Sequence, residues 1–163
     1  MKKIVSLLLA FILLTGCCSA LAANDAQYET TKSILSTLDD AGIKYTWKGT
    51  AKDAEHIIVG NKDEVCTIEI DIFAEESLFV YFRVFNVIYF AAADLNNVLR
   101  LCSTLNDTYN FLKFYVDEDD YSVTVTYDLI TWDEDCGMDV LLAMVKIVQI
   151  IDDAYPSLAV YAK

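Results

Sequence analysis

The chain has 163 residues, with 25 acidic against 12 basic side chains and a formal net charge of −13. That length, with 55% hydrophobic residues, suits one domain with a real core and leaves little room for a second. The acidity repels nucleic acid and anionic lipid headgroups, so neither is an expected partner, and it favours a basic protein or peptide surface.

Lys2 and Lys3 precede an almost wholly apolar run over residues 4–14, which leads into Leu14-Thr15-Gly16-Cys17. The run is too short to cross a ~30 Å hydrocarbon core as a permanent anchor, and with lysines before it it reads as an export signal. Its ending is similar to the lipobox of bacterial lipoproteins, whose cysteine receives acyl chains such as palmitate and becomes the new N-terminus. The resemblance implies a signal peptide over residues 1–16, lipidation at Cys17, a tether over 17–26 and one domain over 27–160. The domain would then sit in the cell envelope, lipid-anchored on the extracytoplasmic side of a bacterial membrane. Ala20-Leu21-Ala22 offers a rival cut that would release a secreted chain starting at Ala23.

Beyond the tether, Tyr28, Thr31, Ile34, Leu35, Leu38 and Ala41 recur at helical spacing and predict a helix over 28–41, ended by Gly42. Strands are expected over 43–48 and 56–59, with turns over 49–54 and 60–63. Residues 65–73 alternate apolar with polar, the mark of a half-buried strand, and 78–85 form another after the Glu75-Glu76-Ser77 turn. From Ala92 a second helix places Leu95, Val98, Leu99, Cys102 and Leu105 on one face, with Asn106-Asp107 at its end. Strands over 111–116 and 121–129 follow, joined by Asp117-Glu118-Asp119-Asp120. The last helix, over 137–155, is expected to turn Met138, Leu141, Leu142, Val145, Val148 and Ile151 inward and to stop at Pro156. The order is helix, strands, helix, two strands, helix. Three amphipathic helices need a flat surface to cover, so the fold class is α+β, an antiparallel or mixed sheet covered by helices.

Few residues suggest chemistry. His56 is the only histidine and lies within a strand. Cys66, Cys102 and Cys136 have no metal-ligand spacing; the first two read as buried hydrophobes, Cys136 as more exposed, and a disulfide among them stays open. No phosphate loop, nucleophile elbow or zinc motif occurs, so no catalytic residue, no cofactor and no enzyme activity are expected. The acidic clusters read first as a solvated turn and as carboxylates at the N-terminus of the last helix. If they met in space, Asp117, Asp119, Asp120, Asp133 and Asp135 could hold calcium, which makes a calcium-responsive envelope module the main alternative and an envelope enzyme the third reading. Aromatic residues are the better lead. Alternation breaks down over 84–93, so Phe85, Val87, Tyr89 and Phe90 are candidate partner-binding residues, against burial of the whole segment beneath a helix. Trp47 and Trp132, the latter beside acids in a loop, are further candidates.

Leu101-Cys102-Ser103-Thr104-Leu105-Asn106, Phe111-Leu112-Lys113-Phe114-Tyr115-Val116-Asp117, Val123-Thr124-Val125-Thr126-Tyr127-Asp128-Leu129 and a helix ending Asp152-Asp153-Ala154-Tyr155-Pro156 resemble the YbjN-domain family. That family is described as regulators of bacterial sensory transduction, with a fold like that of type III secretion chaperones. The resemblance covers residues 90–158 by motif and 28–85 by element order. It implies a single α+β binding domain, often a homodimer, and carries no catalytic residue across. Asn106 and Asp128 are expected as turn or capping groups. The lipobox departs from typical members, which look cytoplasmic. The combined expectation is a membrane-tethered, extracytoplasmic module that binds a protein or peptide of unknown identity.

Overall fold

The computed structural model describes residues 25–62 and 65–163. Ten elements follow in chain order. Helix α1 (Glu29–Asp40) precedes the strands β1 (Thr46–Ala51), β2 (Ala54–Lys62), β3 (Thr67–Glu75) and β4 (Phe79–Tyr89). A 3-10 turn (Ala92–Asp94) leads into α2 (Leu95–Thr108), then β5 (Lys113–Asp117), β6 (Ser122–Ile130) and α3 (Gly137–Leu158). The strands form one antiparallel sheet in the order β1-β2-β3-β4-β6-β5. This is the α+β class and element order that the hydrophobic periodicity predicts. The expected signal segment and Cys17 lie outside the described residues.

Alternation decides the two faces of the sheet. Ile57, Ile72, Phe82 and Tyr127 are cross-strand neighbours on the inner face, with Val59 and Ile70 beside them. The core forms where α1, α2 and α3 cover this face, around Leu35, Phe82, Phe114, Met144 and Ile151. The opposite face carries His56, Phe73, Tyr81 and Asp128 in one cross-strand row.

The entry to α1 is fixed from the sheet. Tyr28 provides no side-chain cap. Instead the Glu55 carboxylate, fully buried on β2, accepts the backbone N–H groups of Gln27 at 2.7 Å and Tyr28 at 3.2 Å. The Thr50 hydroxyl donates to the same carboxylate at 3.3 Å. Three donors and the positive end of the helix dipole together offset the cost of burying a carboxylate there.

Helices α1 and α3 touch at Gly137. Its N–H donates to Ser33 Oγ at 2.9 Å, and the Ser33 hydroxyl donates to Asp135 Oδ1 at 3.1 Å. The free amide at the start of α3 is thus capped by a serine on another helix. A Cβ at Gly137 would lie 2.0 Å from Thr37 Oγ1 and 2.5 Å from the Ser33 carbonyl oxygen. Only glycine allows this approach.

The far edge of the sheet is closed by a side chain. Asn106, in the last turn of α2, accepts the Phe114 N–H at 2.7 Å and donates to the Phe114 carbonyl at 2.8 Å. The amide stands where a seventh strand would pair, and it pins α2 onto β5.

Several expectations are corrected. The strand expected over 43–48 begins at Thr46, because Ile43 and Tyr45 are buried in the lead-in and the Tyr45 hydroxyl reaches Asp39. Pro156 does not end α3; the helix runs to Leu158, whose fully buried side chain holds the last turn in place. Cys136 is buried, not exposed. Leu99, Met138 and Leu142 point outward at 41%, 58% and 60% exposure. The inward face of α3 is instead made by Val140, Leu141, Met144, Ile147, Val148 and Ile151.

Replacing Gly137 with alanine is expected to lower stability by ~1–3 kcal/mol, since the clash is partly with backbone that cannot yield. Urea unfolding followed by circular dichroism checks this; an unchanged midpoint would show that the helices separate freely.

Candidate functional site

Segment 84–90, whose pattern is ambiguous in the sequence, is a β-bulge. Between the Val84–Val125 and Ile88–Val123 pairs, Phe85, Asn86 and Val87 oppose Thr124 alone. Asn86 takes a left-handed φ of 56°, a conformation that asparagine tolerates better than most residues. Phe85 and Tyr89 emerge at 49% and 42% exposure, and Val87 is half-buried. Phe90 is fully buried, meets Tyr121 edge-on at 6.0 Å, and pairs through its backbone with Ala162. Phe90 therefore belongs to the core. The segment splits its side chains between two faces and makes no continuous patch.

The open face of the sheet is polar and aromatic. His56 sits 2.7 Å from Asp71 and stacks on Phe73 at 4.3 Å. Arg83 pairs with Asp128 at 2.7 Å and lies over the Tyr81 ring at 5.6 Å. Asp128 is thus a cross-strand ion-pair partner and not a cap. His56 is separated by the sheet from the buried thiols of Cys102 and Cys136, so no Cys–His pair forms with either. Cys102 and Cys136 are buried free thiols, and the Cys66 thiol donates to Asp152 at 3.6 Å.

The two acidic clusters do not meet. Asp117 to Asp120 precede β6 and Asp133 to Asp135 follow it, so a nine-residue strand separates them by about 30 Å. Within each, a carboxylate folds back on its own turn: Asp117 Oδ1 accepts the Asp119 N–H and Asp133 Oδ1 the Asp135 N–H, both at 3.0 Å. Among the described residues no group of three His, Cys, Asp or Glu gathers in a way that could hold a metal ion. Asp117, Asp119 and Asp120 therefore share no site with Asp133 and Asp135 in this structure.

The most exposed large apolar side chains near one another lie elsewhere. α3 packs chiefly against α1 and only touches α2, so the inner face of β6 is left uncovered near its end. Half-buried Tyr127 and Leu129 form the floor of a groove of about 560 Å³. Phe111, 54% exposed, stands on one side, and Leu142, Val145 and Lys146 of α3 on the other. Ile130 and Trp132 lie at its mouth, 67% and 94% exposed. Burial raises the pKa of the Tyr127 phenol, as expected on an apolar floor. Asp139 lines the groove, and Asp133, Glu134 and Asp135 adjoin Trp132 in the chain. Sequence reasoning singles out Trp132 but not Ile130, Phe111 or Leu142. The available signal is that α3 is apolar on nearly every side.

An antiparallel sheet covered on one face by helices, with an apolar groove at one end, defines a small α+β domain. The chain belongs to the YbjN family, described as "Putative bacterial sensory transduction regulator", whose profile matches residues 30–159. Its fold is similar to that in the "Crystal structure of YbjN, a putative transcription regulator from E. coli", with a TM-score of 0.51 at 18% identity. The match covers 78% of this chain and 93% of that one, and at this identity it speaks for fold alone. No curated protein sequence matches the chain.

Burial pushes the thiols of Cys102 and Cys136 up to about 11, and burial reinforced by Asp39 pushes the Tyr45 phenol up to about 12. The folded protein holds these protons where the unfolded chain loses them, from about pH 8.5 for cysteine and 10 for tyrosine. Their contribution is fully present below about pH 8.5 and is lost as pH rises through 11 to 12. Melting temperature is therefore expected to fall steadily above about pH 9. At pH 8, iodoacetamide should label half-exposed Cys66 first and reach Cys102 and Cys136 only in denaturant. Rapid labelling of all three in the folded chain would contradict this packing.

Proposed function

We propose that the protein is a membrane-tethered, extracytoplasmic domain that captures another polypeptide in the groove beside Trp132. The observation that carries this reading is the gathering of Phe111, Ile130, Trp132 and Leu142, all more than half exposed, around one apolar floor. An exposed apolar groove rimmed by polar groups is the usual form of a protein-docking surface. Membership of a family described as regulators fits a binding role and gives no support to an enzyme.

Lys2, Lys3, the apolar run and Leu14-Thr15-Gly16-Cys17 support the tether. Residues 18–26 allow at most about 30 Å between a lipidated Cys17 and the domain. The chain enters the fold at Gln27, bound to Glu55. Glu55 aligns across the sheet with Ala74, Val80 and Leu129, so entry and groove share one end of the sheet. A tether of this length keeps the groove near the membrane and selects partners that lie within it or close to it.

Burying four such side chains contributes on the order of 6 kcal/mol, at ~1.5 kcal/mol each. Association costs about 4 kcal/mol or more. Apolar contact alone therefore yields weak, reversible capture, and charge decides which partners stay. Phe85 and Tyr89 are also exposed but form no continuous patch.

A photo-crosslinking amino acid at position 132, compared with one at position 85, tests the site in cells. The expected outcome is one reproducible adduct from position 132, with an N-terminal peptide starting at lipidated Cys17 in mass spectrometry. Adducts from position 85 alone would move the site to the other face, and a chain starting at Ala23 would remove the tether. Because Trp132 is almost wholly exposed, Trp132→Ala should change stability by less than ~0.5 kcal/mol while abolishing the adduct of a crosslinker placed at position 130.

A further inference from the structure

We infer that the occupant of the groove is a basic amphipathic segment of another protein, laid along α3 with its apolar stripe on Tyr127, Leu129 and Leu142. This rests on the docking reading above and adds the partner's chemistry to it.

The wall of the groove that α3 provides runs from Asp139 to Gln149, about 15 Å at the helical rise. Three turns of helix match that length and present apolar side chains at i, i+3, i+4 and i+7 to one surface. The floor accepts such a stripe, because Tyr127 and Leu129 are inner-face residues that α3 leaves uncovered. The rim sets the charge. Asp139 and Lys146 lie in the groove wall, Asp133 and Glu134 follow Trp132 in the chain and line an adjoining depression with Glu76, and Asp135 accepts the Ser33 hydroxyl. None of the four carboxylates of Asp133, Glu134, Asp135 and Asp139 takes part in an ion pair with lysine, arginine or histidine among the described residues. Lysines or arginines flanking an apolar stripe would reach them, and Lys146 is left to meet an acidic residue or a chain terminus at the other end.

The same rim argues against other occupants. A second copy would bring four more carboxylates toward these four, on a chain of net charge −13. An anionic lipid surface is repelled for the same reason, even though the tether would hold the groove close to one. A basic segment alone gains from both the floor and the rim.

The probe is a fluorescein-labelled synthetic three-turn peptide with leucines along one stripe and lysines on its flanks. A control peptide replaces every lysine with glutamate. Binding is read by fluorescence anisotropy to the full-length chain held in nanodiscs of zwitterionic lipid. The lysine peptide is expected to bind at least about tenfold more tightly than the glutamate peptide, and to weaken severalfold as salt rises. Combining Asp133→Asn, Glu134→Gln and Asp139→Asn should abolish this preference, while Trp132→Ala should weaken both peptides. Equal binding of the two peptides would overturn the charge assignment and leave the docking site standing. A preference that survives the triple substitution, or that Trp132→Ala does not touch, would place the peptide elsewhere and overturn the inference. No binding of either peptide, with adducts still forming at position 132, would refute the partner class alone. No binding and no adducts would refute both readings.

Discussion

The contact between α1 and α3 at Gly137 governs much of what this domain presents to its surroundings. A bare Cα lets the two helices meet closely enough for Ser33 to cap the first amide of α3. α3 lies against α1 and leaves α2 with little contact. Because one long helix cannot cover both halves of a six-stranded sheet, the floor beneath Tyr127 and Leu129 stays open. The groove is thus a product of packing: the close contact between α1 and α3 leaves part of the inner face exposed.

Glu55 complements that contact from the other side of α1. A buried carboxylate holding two backbone amides and a hydroxyl defines where the chain enters the sheet. It stabilises only if every donor stays in place, so it acts as a geometric constraint more than as a source of stability. Entry point and groove then occupy the same end of one rigid sheet. The outer face carries the His56–Asp71 and Arg83–Asp128 pairs.

Much of the fold was legible in the sequence because one periodicity dominated each segment. In α1, Ile34, Leu35 and Leu38 have polar neighbours, so the buried stripe can be read directly. In β3, Ile68, Ile70 and Ile72 alternate with Thr67, Glu69 and Asp71, and the faces follow. α3 could not be read this way. It is apolar on most sides, so Met138 and Leu142 fit a core stripe as well as Val140 and Met144 do, and only packing against α1 chooses between them. The bulge at Phe85–Val87 was visible only as broken alternation, because which residue slips out of register is decided by β6. Trp132 was visible as an aromatic among acids, but the groove depends on the divergence of two helices distant in sequence, which no local pattern encodes. Pro156 misled for a related reason: burial of Leu158 outweighs one lost hydrogen bond in the last turn.

Asn106 has a consequence for how the protein can grow or be joined. A sheet edge with free amides invites another strand, and each addition recreates the same edge, the elementary step of open-ended polymerisation. By occupying both backbone groups of Phe114, one side-chain amide blocks strand addition at the centre of β5. An incoming strand would first have to displace that amide, so growth along this edge starts with the loss of two hydrogen bonds.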